Sequence, residues 1–557
     1  MTSLTPTCTE CQKPFKITED EAAFINKISP QIGGAKLQIP LPENCPGCRL
    51  RARMVHRNED KFHSAKSFVS GKPLISLYDN DSPYKICAHE EWWNDTWDAA
   101  DYGQDFDFSR SFFEQFHDLD LKIPRVSVVQ LNNENSPYSS GTAYCKNCYL
   151  INCSENSEDC YYGKLIQNSR NIVDSDYVYD SELLYGCFNV TNCYSSKYLL
   201  YSQNCQDCYF SDNLRGCRNC FLCCNLVNKE FCFMNEQLSK EAYEQKVKEF
   251  LGAKSRVENA KKLLTQMRRK RIHKAANVVN CENSTGDFLS NCQNCQDCYE
   301  TNDSQDCRYV VVGVNIKDVY DCNNMYLKPE LNYQVMATIG TYNVIFSLYI
   351  FNSQEVMYSA FCFNSKNLFG CVGLRNKQYC IFNKQYTKEE YEALVPRLIQ
   401  HMQAWGEWGK FIPAKYVEFP YNDTVAHDYL PLSKEQALGK GYKWKDLDPR
   451  EFKPQTYPVP DEINSVNDEI LQQVLACESC KKNYRIIPQE LKQIKTMNLA
   501  IPHHCPDCRH QERMTFKNPR TLWERACMKC SLPMHSTFSP DRPEHVYCEK
   551  CYLQAIY

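Results

Sequence analysis

The chain has 557 residues and a formal net charge of −4. This length has room for three to five domains, and a near-neutral chain is not a globally basic nucleic-acid protein, so a polyanion contact would need a local patch. No run of about 18 apolar residues is present, which argues against a membrane-spanning helix.

Cysteine is the most informative residue type, with 35 copies. Disulfide scaffolds are typically short and secreted. This chain is long, and its first residues lack the basic-then-apolar pattern of a secretory signal. Twelve cysteines form six Cys-x2-Cys pairs near the two ends. We therefore expect a cytoplasmic protein with metal-bound thiolates, the alternative being an extracellular protein with disulfides.

The paired cysteines near the ends predict structural zinc sites. Each Cys-x2-Cys places two thiolates on one tight turn, and two such turns complete the tetrahedron that Zn²⁺ prefers. With four cysteines per site, no coordination position is left for water, so the metal would be structural. We expect about three Zn²⁺ per chain, with these ligands: Cys8, Cys11, Cys45 and Cys48; Cys477, Cys480, Cys505 and Cys508; Cys527, Cys530, Cys548 and Cys551.

The N-terminal copy continues into a degenerate second ribbon. An alignment of the two ends pairs Ser67 with Cys527, Ser70 with Cys530 and, after a one-residue gap, Cys87 with Cys548 and Glu90 with Cys551. Serine is a poor zinc ligand beside a thiolate. We predict that this fourth site has lost its metal.

The middle of the chain repeats itself. Residues 219–243 recur 148 positions later as residues 367–391, and short β-prone segments begun by Asn, Asp or Glu return every 11 or 12 residues. This rhythm predicts a mainly β protein. Its core would be a Cys/Tyr-rich β-solenoid, like a parallel β-helix with about two strands per coil, in two halves each followed by a helix. An antiparallel barrel or sandwich is the rival, although Asn-Gly and Asp-Gly hairpin turns are nearly absent.

Four cysteines of the middle, Cys292, Cys295, Cys298 and Cys307, resemble an iron–sulfur run. The same spacing recurs in step with the 12-residue rhythm. We therefore expect reduced, unmetallated cysteines in buried rows, since free Cys is among the most buried residue types. A metal or redox enzyme that uses them is the alternative.

Basic residues beside the knuckles and at the end of a predicted long helix, residues 239–276, form a candidate nucleic-acid footprint. The alternative is a solvated helix end, where cations suit the helix dipole. The candidate residues are Arg49, Arg51, Arg53, Arg268, Arg269, Lys270, Arg271, Arg509 and Arg513.

One pattern of the ends resembles a known family. Cys-x2-Cys is followed by Phe15 or Tyr484, by a Glu ten residues after the second Cys, and by Cys-Pro-x-Cys-Arg. This order is similar to the probable zinc-ribbon family of small bacterial four-cysteine ribbons, and to multi-ribbon proteins of environmental bacteria with small genomes. The resemblance covers about a fifth of the chain. It implies zinc but no reaction.

No nucleotide-binding, metalloprotease or nucleophile-elbow motif is present, so we expect no enzyme. The interpretation is a zinc-stabilised binding or scaffold protein that contacts nucleic acid or a nucleoprotein. The alternatives are a self-assembling homo-oligomer with a Tyr-rich solenoid face, and the metal or redox enzyme. The predicted domains are a zinc ribbon (1–60), a degenerate ribbon and docking segment (61–125), the first β half (126–238), a long helix (239–276), the second β half (277–386), a helix and connector (387–470), and two zinc ribbons (471–520, 521–557).

Overall fold

The computed structural model describes residues 3–446 and 452–556. Strand takes 32% and helix 24% of it, which confirms the mainly β class. The chain divides into two compact units. Unit 1 comprises Met1–Ser127, Ala276–Lys445 and Arg520–Leu522; unit 2 comprises Val128–Ala275, Asp446–Pro519 and Trp523–Tyr557. The N-terminal cysteines thus share a unit with the second repetitive half, and the C-terminal cysteines share one with the first.

The N-terminal segment of unit 1 holds two small modules, module A (residues 3–58) and module B (residues 61–94). Thr18 begins the first helix by accepting a hydrogen bond from the Glu21 N–H at 3.2 Å. Pro46 begins the second, at a position where no N–H is needed. The elements are α1 (Glu19–Ile28), β1 (Gln31–Ile32), β2 (Ala35–Lys36), α2 (Pro46–Met54), β3 (His63–Lys66), β4 (Pro73–Ser76), β5 (Ile86–Cys87), α3 (His89–Trp93), α4 (Phe112–Lys122) and β6 (Arg125–Val126).

The first repetitive half, ladder 1 (residues 128–237), belongs to unit 2 and is followed by two helices. Its elements are β7 (Gln130–Leu131), β8 (Ser139–Ser140), β9 (Thr142–Ala143), β10 (Tyr149–Asn152), β11 (Glu158–Gln167), β12 (Arg170–Val173), β13 (Asp176–Tyr179), β14 (Glu182–Tyr185), β15 (Phe188–Thr191), β16 (Tyr194–Gln203), β17 (Gln206–Asp212), β18 (Arg218–Phe221), β19 (Glu230–Phe233), β20 (Glu236–Gln237), α5 (Lys240–Lys248), α6 (Lys254–Lys270) and β21 (Ile272–Lys274).

The second repetitive half, ladder 2 (residues 276–385), belongs to unit 1. Its elements and those that follow it are β22 (Val278–Val279), β23 (Gly286–Ser290), β24 (Cys298–Asn302), β25 (Val311–Val314), β26 (Lys317–Asn323), β27 (Glu330–Ile339), β28 (Tyr342–Ile345), β29 (Leu348–Phe351), β30 (Gln354–Met357), β31 (Lys366–Phe369), β32 (Gln378–Ile381), β33 (Lys384–Gln385), α7 (Lys388–Ala404), α8 (Val425–Tyr429) and α9 (Lys434–Gly439).

The C-terminal segment of unit 2 holds module C (residues 475–518) and module D (residues 523–556). Its elements are β34 (Leu475–Ala476), β35 (Asn483–Tyr484), α10 (Pro488–Thr496), α11 (Pro506–Met514), β36 (Trp523–Ala526), β37 (Pro533–Ser536), β38 (His545–Tyr547) and α12 (Glu549–Ile556).

Parallel pairing at a distance of twelve residues builds both ladders. In ladder 1, Leu184 pairs with Ser196, and in ladder 2, Val356 pairs with Leu368. Two short strands lie within one 12-residue repeat, as β12 and β13 do. Over β17–β19 and β30–β32 successive strands start twelve residues apart, which confirms the predicted spacing there; elsewhere, as at β12 and β13, a second short strand lies within the repeat. The long strands β11 and β16 each pair with one short strand near their start and another near their end. The path β11–β12–β14–β16–β15–β13 therefore closes into a six-stranded parallel ring.

A left-handed backbone residue at every third position explains the abundance of Asn and Asp. Asn168, Asn171, Asp174 and Asp180 all have φ between +48° and +55°. Asn and Asp enter this region more readily than other non-glycine residues, because their short side chains hydrogen-bond locally. The residues that open the sequence rhythm, such as Asn219 and Asn367, are left-handed in this way, and each is the second residue of a short strand, β18 or β31.

The residue after each left-handed residue points into the ladder, where Cys and Ser alternate with Ile, Leu and Val. Ser181 shows how a buried hydroxyl is satisfied: it donates to the Tyr179 carbonyl at 2.7 Å and accepts from the Cys193 N–H at 3.0 Å. Thiols take the same place, and the Cys160 Sγ lies 3.3 Å from the Glu158 carbonyl oxygen. These hydrogen bonds let polar residues fill the interior. The predicted burial of the mid-chain cysteines is confirmed for most of them, with Cys153 and Cys281 half-buried.

One buried cation in ladder 1 makes its stability depend on pH. Lys197 is 6% exposed, and its Nζ lies 4.4 Å from the ring centre of Tyr209. Burial lowers the pKa of Lys197 to about 8, against a smaller opposing effect of Asp207. Between pH 8 and about 10.4 the unfolded chain binds a proton that the folded chain lacks, so the free energy of unfolding rises with pH there.

We expect Lys197→Met to stabilise the protein at pH 7 by up to about 3 kcal/mol, because the cost of burying the charge is removed. The advantage should shrink as the pH rises from 8 to 10. Denaturant midpoints of both proteins at pH 7 and pH 9.5 measure this. A Lys197→Met variant less stable than the wild type at pH 7 would contradict it.

The predicted long helix over residues 239–276 is two helices and a strand, α5, α6 and β21. Gly252 separates the helices with φ +87°, and a Cβ there would lie 2.8 Å from Asn498 Oδ1. The close approach of Asn498 therefore coincides with the end of the helix at Gly252, since glycine adopts a positive φ without strain. The predicted N-caps are confirmed: Ser239 accepts from the Ala242 N–H at 3.3 Å, and Thr387 accepts from the Glu390 N–H at 3.2 Å.

Within the described residues, no helix has the length and apolar character needed to cross a membrane.

Candidate metal centres and docking pairs

Three groups of four cysteines have the spacing of a metal tetrathiolate. In each group all four Sγ atoms lie within 4.8 Å of one another. The Sγ atoms of Cys11 and Cys45 are 3.7 Å apart, those of Cys480 and Cys505 are 3.6 Å apart, and those of Cys530 and Cys548 are 3.8 Å apart. A tetrahedron with metal–sulfur bonds of about 2.3 Å has an edge of about 3.8 Å. The groups are the three predicted ones, in modules A, C and D: Cys8, Cys11, Cys45 and Cys48; Cys477, Cys480, Cys505 and Cys508; Cys527, Cys530, Cys548 and Cys551.

Tight turns place the sulfur atoms and direct N–H groups at them. The residue after the second Cys of each first pair is left-handed, with φ +59° at Gln12, +67° at Lys481 and +60° at Ser531. The Cys548 N–H donates to Cys527 Sγ at 3.2 Å. Burial raises the pKa of Cys527, but N–H groups of Cys548, Cys530 and Lys529 outweigh it and lower the pKa to about 6. The turn therefore favours a thiolate, the form that binds metal.

Module B repeats the backbone of module D, without the predicted one-residue gap. The Phe68 N–H donates to the Ile86 carbonyl at 2.7 Å, as the Met528 N–H donates to the Val546 carbonyl at 3.1 Å. A constant shift of 460 positions relates these residues. Ala88 and Glu91 thus stand where Cys548 and Cys551 stand, and the predicted equivalents Cys87 and Glu90 are wrong. Cys87 is buried with its thiol directed to the Arg125 carbonyl at 3.4 Å, and Glu90 is exposed.

Two buried arginines hold module A against ladder 2. Arg49, 3% exposed, pairs with Glu21 at 2.9 Å and with Asp321 at 2.8 Å. Arg53 is fully buried, donates from Nε to Asn323 Oδ1 at 2.8 Å, and lies 3.3 Å from Asp321. The helix α2 that carries both arginines packs on β26 and β27.

Module C uses the same device on ladder 1 in unit 2. Arg509 pairs with Glu490 at 2.8 Å and with Asp174. Arg513 pairs with Asp176 at 2.6 Å and with Asp174 at 3.2 Å. The pKa of Asp176 stays below its ordinary value because Arg513 and His510 outweigh the effect of burial. Both units thus join a cysteine module to a ladder through arginines one and five residues after the last ligand.

These contacts correct the predicted nucleic-acid footprint. Arg49, Arg53, Arg509 and Arg513 are between 0% and 7% exposed and already paired with carboxylates or an amide, so they are closed to phosphate. Arg51 is half-buried and pairs with Glu10 at 3.0 Å. The Glu and Arg positions that recur in the two ends of the sequence indicate an ion pair within each module. No sequence pattern indicates the ladder carboxylates Asp174, Asp176 and Asp321 as further partners.

The basic run at the end of α6 is also divided by its contacts. Arg268 and Arg271 direct Nε to Asp212, at 3.0 and 2.6 Å, and Asp212 is fully buried. Arg269 and Lys270 are exposed. The predicted nucleic-acid footprint needs the whole run to be exposed. That prediction is wrong for Arg268 and Arg271, which are paired with Asp212.

We expect the double variant Arg268→Glu/Arg271→Glu to lose about 3 kcal/mol or more of stability in unit 2, because it leaves Asp212 buried without a partner. The matched control Arg269→Glu/Lys270→Glu should change stability by about half a kcal/mol or less per site. Thermal unfolding of the two variants measures this. Equal stabilities would show that the Asp212 pairs are not needed.

The predicted alternative of an iron–sulfur site in ladder 2 is not supported by the positions of its thiols. Among the described residues, Cys292, Cys295, Cys298 and Cys307 are not brought together at metal-ligand spacing. Cys292 Sγ instead lies 3.3 Å from the Ser290 carbonyl oxygen, and Cys298 Sγ lies 3.4 Å from that of Gln296. The thiols follow the interior pattern of the ladder.

Comparisons with known proteins name no family. No family model and no curated protein matches the chain. One of the solved structures that match is described as an acetyltransferase from Desulfovibrio desulfuricans G20, at 10% identity and a TM-score of 0.12 over 39% of this chain. The match spans 64% of the length of that structure. A TM-score this low carries no argument about fold or activity.

Proposed function

We propose that this chain is a zinc-binding scaffold protein in which structural zinc ribbons are docked on β-solenoid ladders. The observation that carries the proposal is the set of three tetrathiolate groups with tetrahedral spacing. Four thiolates suit Zn²⁺ among the divalent metals and leave it no open position, which is the character of a structural rather than a catalytic site.

Zinc would act by shaping the modules so that their helices present arginine to a ladder. In module C the second cysteine pair begins α11, and Arg509 follows its last ligand directly. Module C also packs apolar residues such as Leu491 and Ile494 in one cluster with Tyr162 of ladder 1. We still expect its fold to depend on the metal, since most small modules need a metal or disulfides to fold. Zinc binding and docking are thus linked through adjacent residues.

The solenoid interpretation of the ladders rests on their repeat. An offset of twelve residues at nearly every step, with a stacked interior in each repeat, is the pattern of a coil that advances one turn per repeat. The described cysteines, all of them free, suit a reducing compartment, and we place the protein in the cytoplasm on that ground.

Metal analysis of the purified chain tests the proposal. We expect about three Zn²⁺ per chain and no iron chromophore. A chelator should release zinc with exposure of modules A, C and D to protease. Iron in place of zinc, or a metal content near zero in protein purified without chelator, would contradict the proposal.

Self-assembly is a second candidate, favoured by two exposed tyrosines at equivalent ladder positions. Tyr194 is 45% exposed and Tyr342 is 41% exposed, and they are related by the 148-residue repeat. If the ladder surfaces that carry these tyrosines join copies of the chain, Tyr194→Ser/Tyr342→Ser should lower the mass in solution. A monomeric wild type would contradict it.

A nucleic-acid partner would have to use what remains exposed of the basic footprint, above all Arg269 and Lys270. Retention of nucleic acid that falls with salt and is lost in Arg269→Glu/Lys270→Glu would support this partner. A wild type that binds none at low salt would contradict it.

A further inference from the structure

Module B keeps the backbone of a metal knuckle although it lacks the cysteines. The Ser67 N–H donates to the Lys72 carbonyl at 2.9 Å, as the Cys527 N–H donates to that of Leu532 at 2.9 Å. The Gly71 N–H donates to the Ser67 carbonyl at 2.9 Å, and the equivalent bond from Ser531 to Cys527 is 2.8 Å. Both modules also carry the same hairpin, β3–β4 in one and β36–β37 in the other.

One carboxylate joins the two halves of this knuckle. Glu91 Oε2 accepts a hydrogen bond from the Ser67 hydroxyl at 2.5 Å and another from the Ala88 N–H at 2.9 Å. Ser67, Ser70, Ala88 and Glu91 are the four positions at which module D has its cysteines. The link that a metal makes between two turns is therefore made here by hydrogen bonds to one anion.

The Ser67 oxygen also receives the N–H groups that a knuckle sulfur receives. The Val69 and Ser70 N–H groups donate to Ser67 Oγ at 3.1 and 3.2 Å. Its own proton is then directed to Glu91. The hydroxyl thus serves as acceptor for one turn and donor to the other half of the module, so no buried polar group of the turn is left unpaired.

We propose that the Glu91 carboxylate replaces the metal in module B, so that this module stays folded without zinc while its counterpart, module D, depends on zinc. The contrast with module D rests on the proposed zinc function. The contribution of Glu91 to module B does not. Removal of metal would accordingly loosen modules A, C and D and spare module B.

Glu91→Ala and its neighbour Glu90→Ala form a matched pair for the test, because Glu90 is exposed and adjacent. With zinc present, we expect Glu91→Ala to raise the rate of proteolytic cleavage within residues 61–94 about tenfold, and Glu90→Ala to leave it unchanged. In the wild type, EDTA should speed cleavage within residues 523–556 and not within 61–94. Equal rates for the two variants, or cleavage of residues 61–94 on chelation, would overturn the proposal.

A second variant restores the thiolates. Ser67→Cys/Ser70→Cys/Ala88→Cys/Glu91→Cys should bind one zinc more than the wild type, because the backbone already has knuckle geometry. An unchanged zinc content would overturn the claim that module B is a knuckle. If the wild type binds no zinc at all, the proposed function fails, while the Glu91 and Glu90 comparison still decides whether the carboxylate holds the module.

Discussion

Replacing Arg509 with Met will detach module C from ladder 1 without loss of its metal. Arg509 is the shared partner of Glu490 and Asp174, which are 0% and 3% exposed. Removing it leaves Glu490 buried without its arginine, while Asp174 keeps only its pair with Arg513. Breaking a buried pair by removing one partner costs about 3–5 kcal/mol, because the remaining charge stays out of water. Such a loss is a large part of the stability of an ordinary domain.

Denaturant unfolding, limited proteolysis and metal analysis of Arg509→Met measure this together. We expect a lower midpoint, new cleavage within residues 475–518 and an unchanged zinc content, because all four ligands of module C remain. The matched control is Arg485→Met, since Arg485 is exposed in the same module. If both variants unfolded at the wild-type midpoint, the ion pair would not hold the module.

Replacing Cys508 with Ser will unfold module C itself, which is a larger effect. The change removes one of four thiolates, and serine does not replace it as a zinc ligand. Structural zinc contributes about 10 kcal/mol or more of apparent folding free energy in isolated fingers. Because Arg509 follows Cys508, the docking pair should be lost with the metal. Ladder 1 should keep its strands, since its interior contains none of the ligands.

The expected result for Cys508→Ser is one zinc fewer per chain and rapid cleavage within residues 475–518. Cys281→Ser is the control, because Cys281 is half-buried and belongs to none of the three groups. It should keep the full zinc content and the wild-type digestion pattern. A Cys508→Ser protein that retained all its zinc would remove Cys508 from the ligand set.

Local spacing was enough to predict the metal ligands, the helix caps and the period of the ladders. In a Cys-x2-Cys turn, both ligands and the N–H groups around them lie within about five residues, so the chemistry can be read without the fold. Ser239 and Thr387 cap helices through bonds that span three residues. The 12-residue rhythm was visible because Asn or Asp recurs at the same left-handed position of successive repeats, as at Asn168, Asp180 and Asn192.

The one-residue gap assumed near Cys87 shows where local similarity misled. Pairing Cys87 with Cys548 needs a gap in the alignment, yet the hydrogen bonds of Phe68 and Met528 require the same shift on both sides of the turn. At the position of Cys551, module B has Glu91, which offers a carboxylate in place of a thiolate. Its function depends on Ser67, 24 positions away, which becomes a neighbour only when the hairpin folds.

The sequence by itself determined which cysteines form each four-thiol group, that the middle is repetitive and β-rich, and where two of its helices begin. The tertiary structure alone decided which ladder each module joins and what its arginines do. Arg509 and Asp174 are 335 positions apart, and Arg53 and Asp321 are 268 apart. The physical reason is desolvation. The sequence shows an arginine near each cysteine pair but not whether it contacts water or a buried carboxylate, because only the packed fold removes the water and fixes the partner.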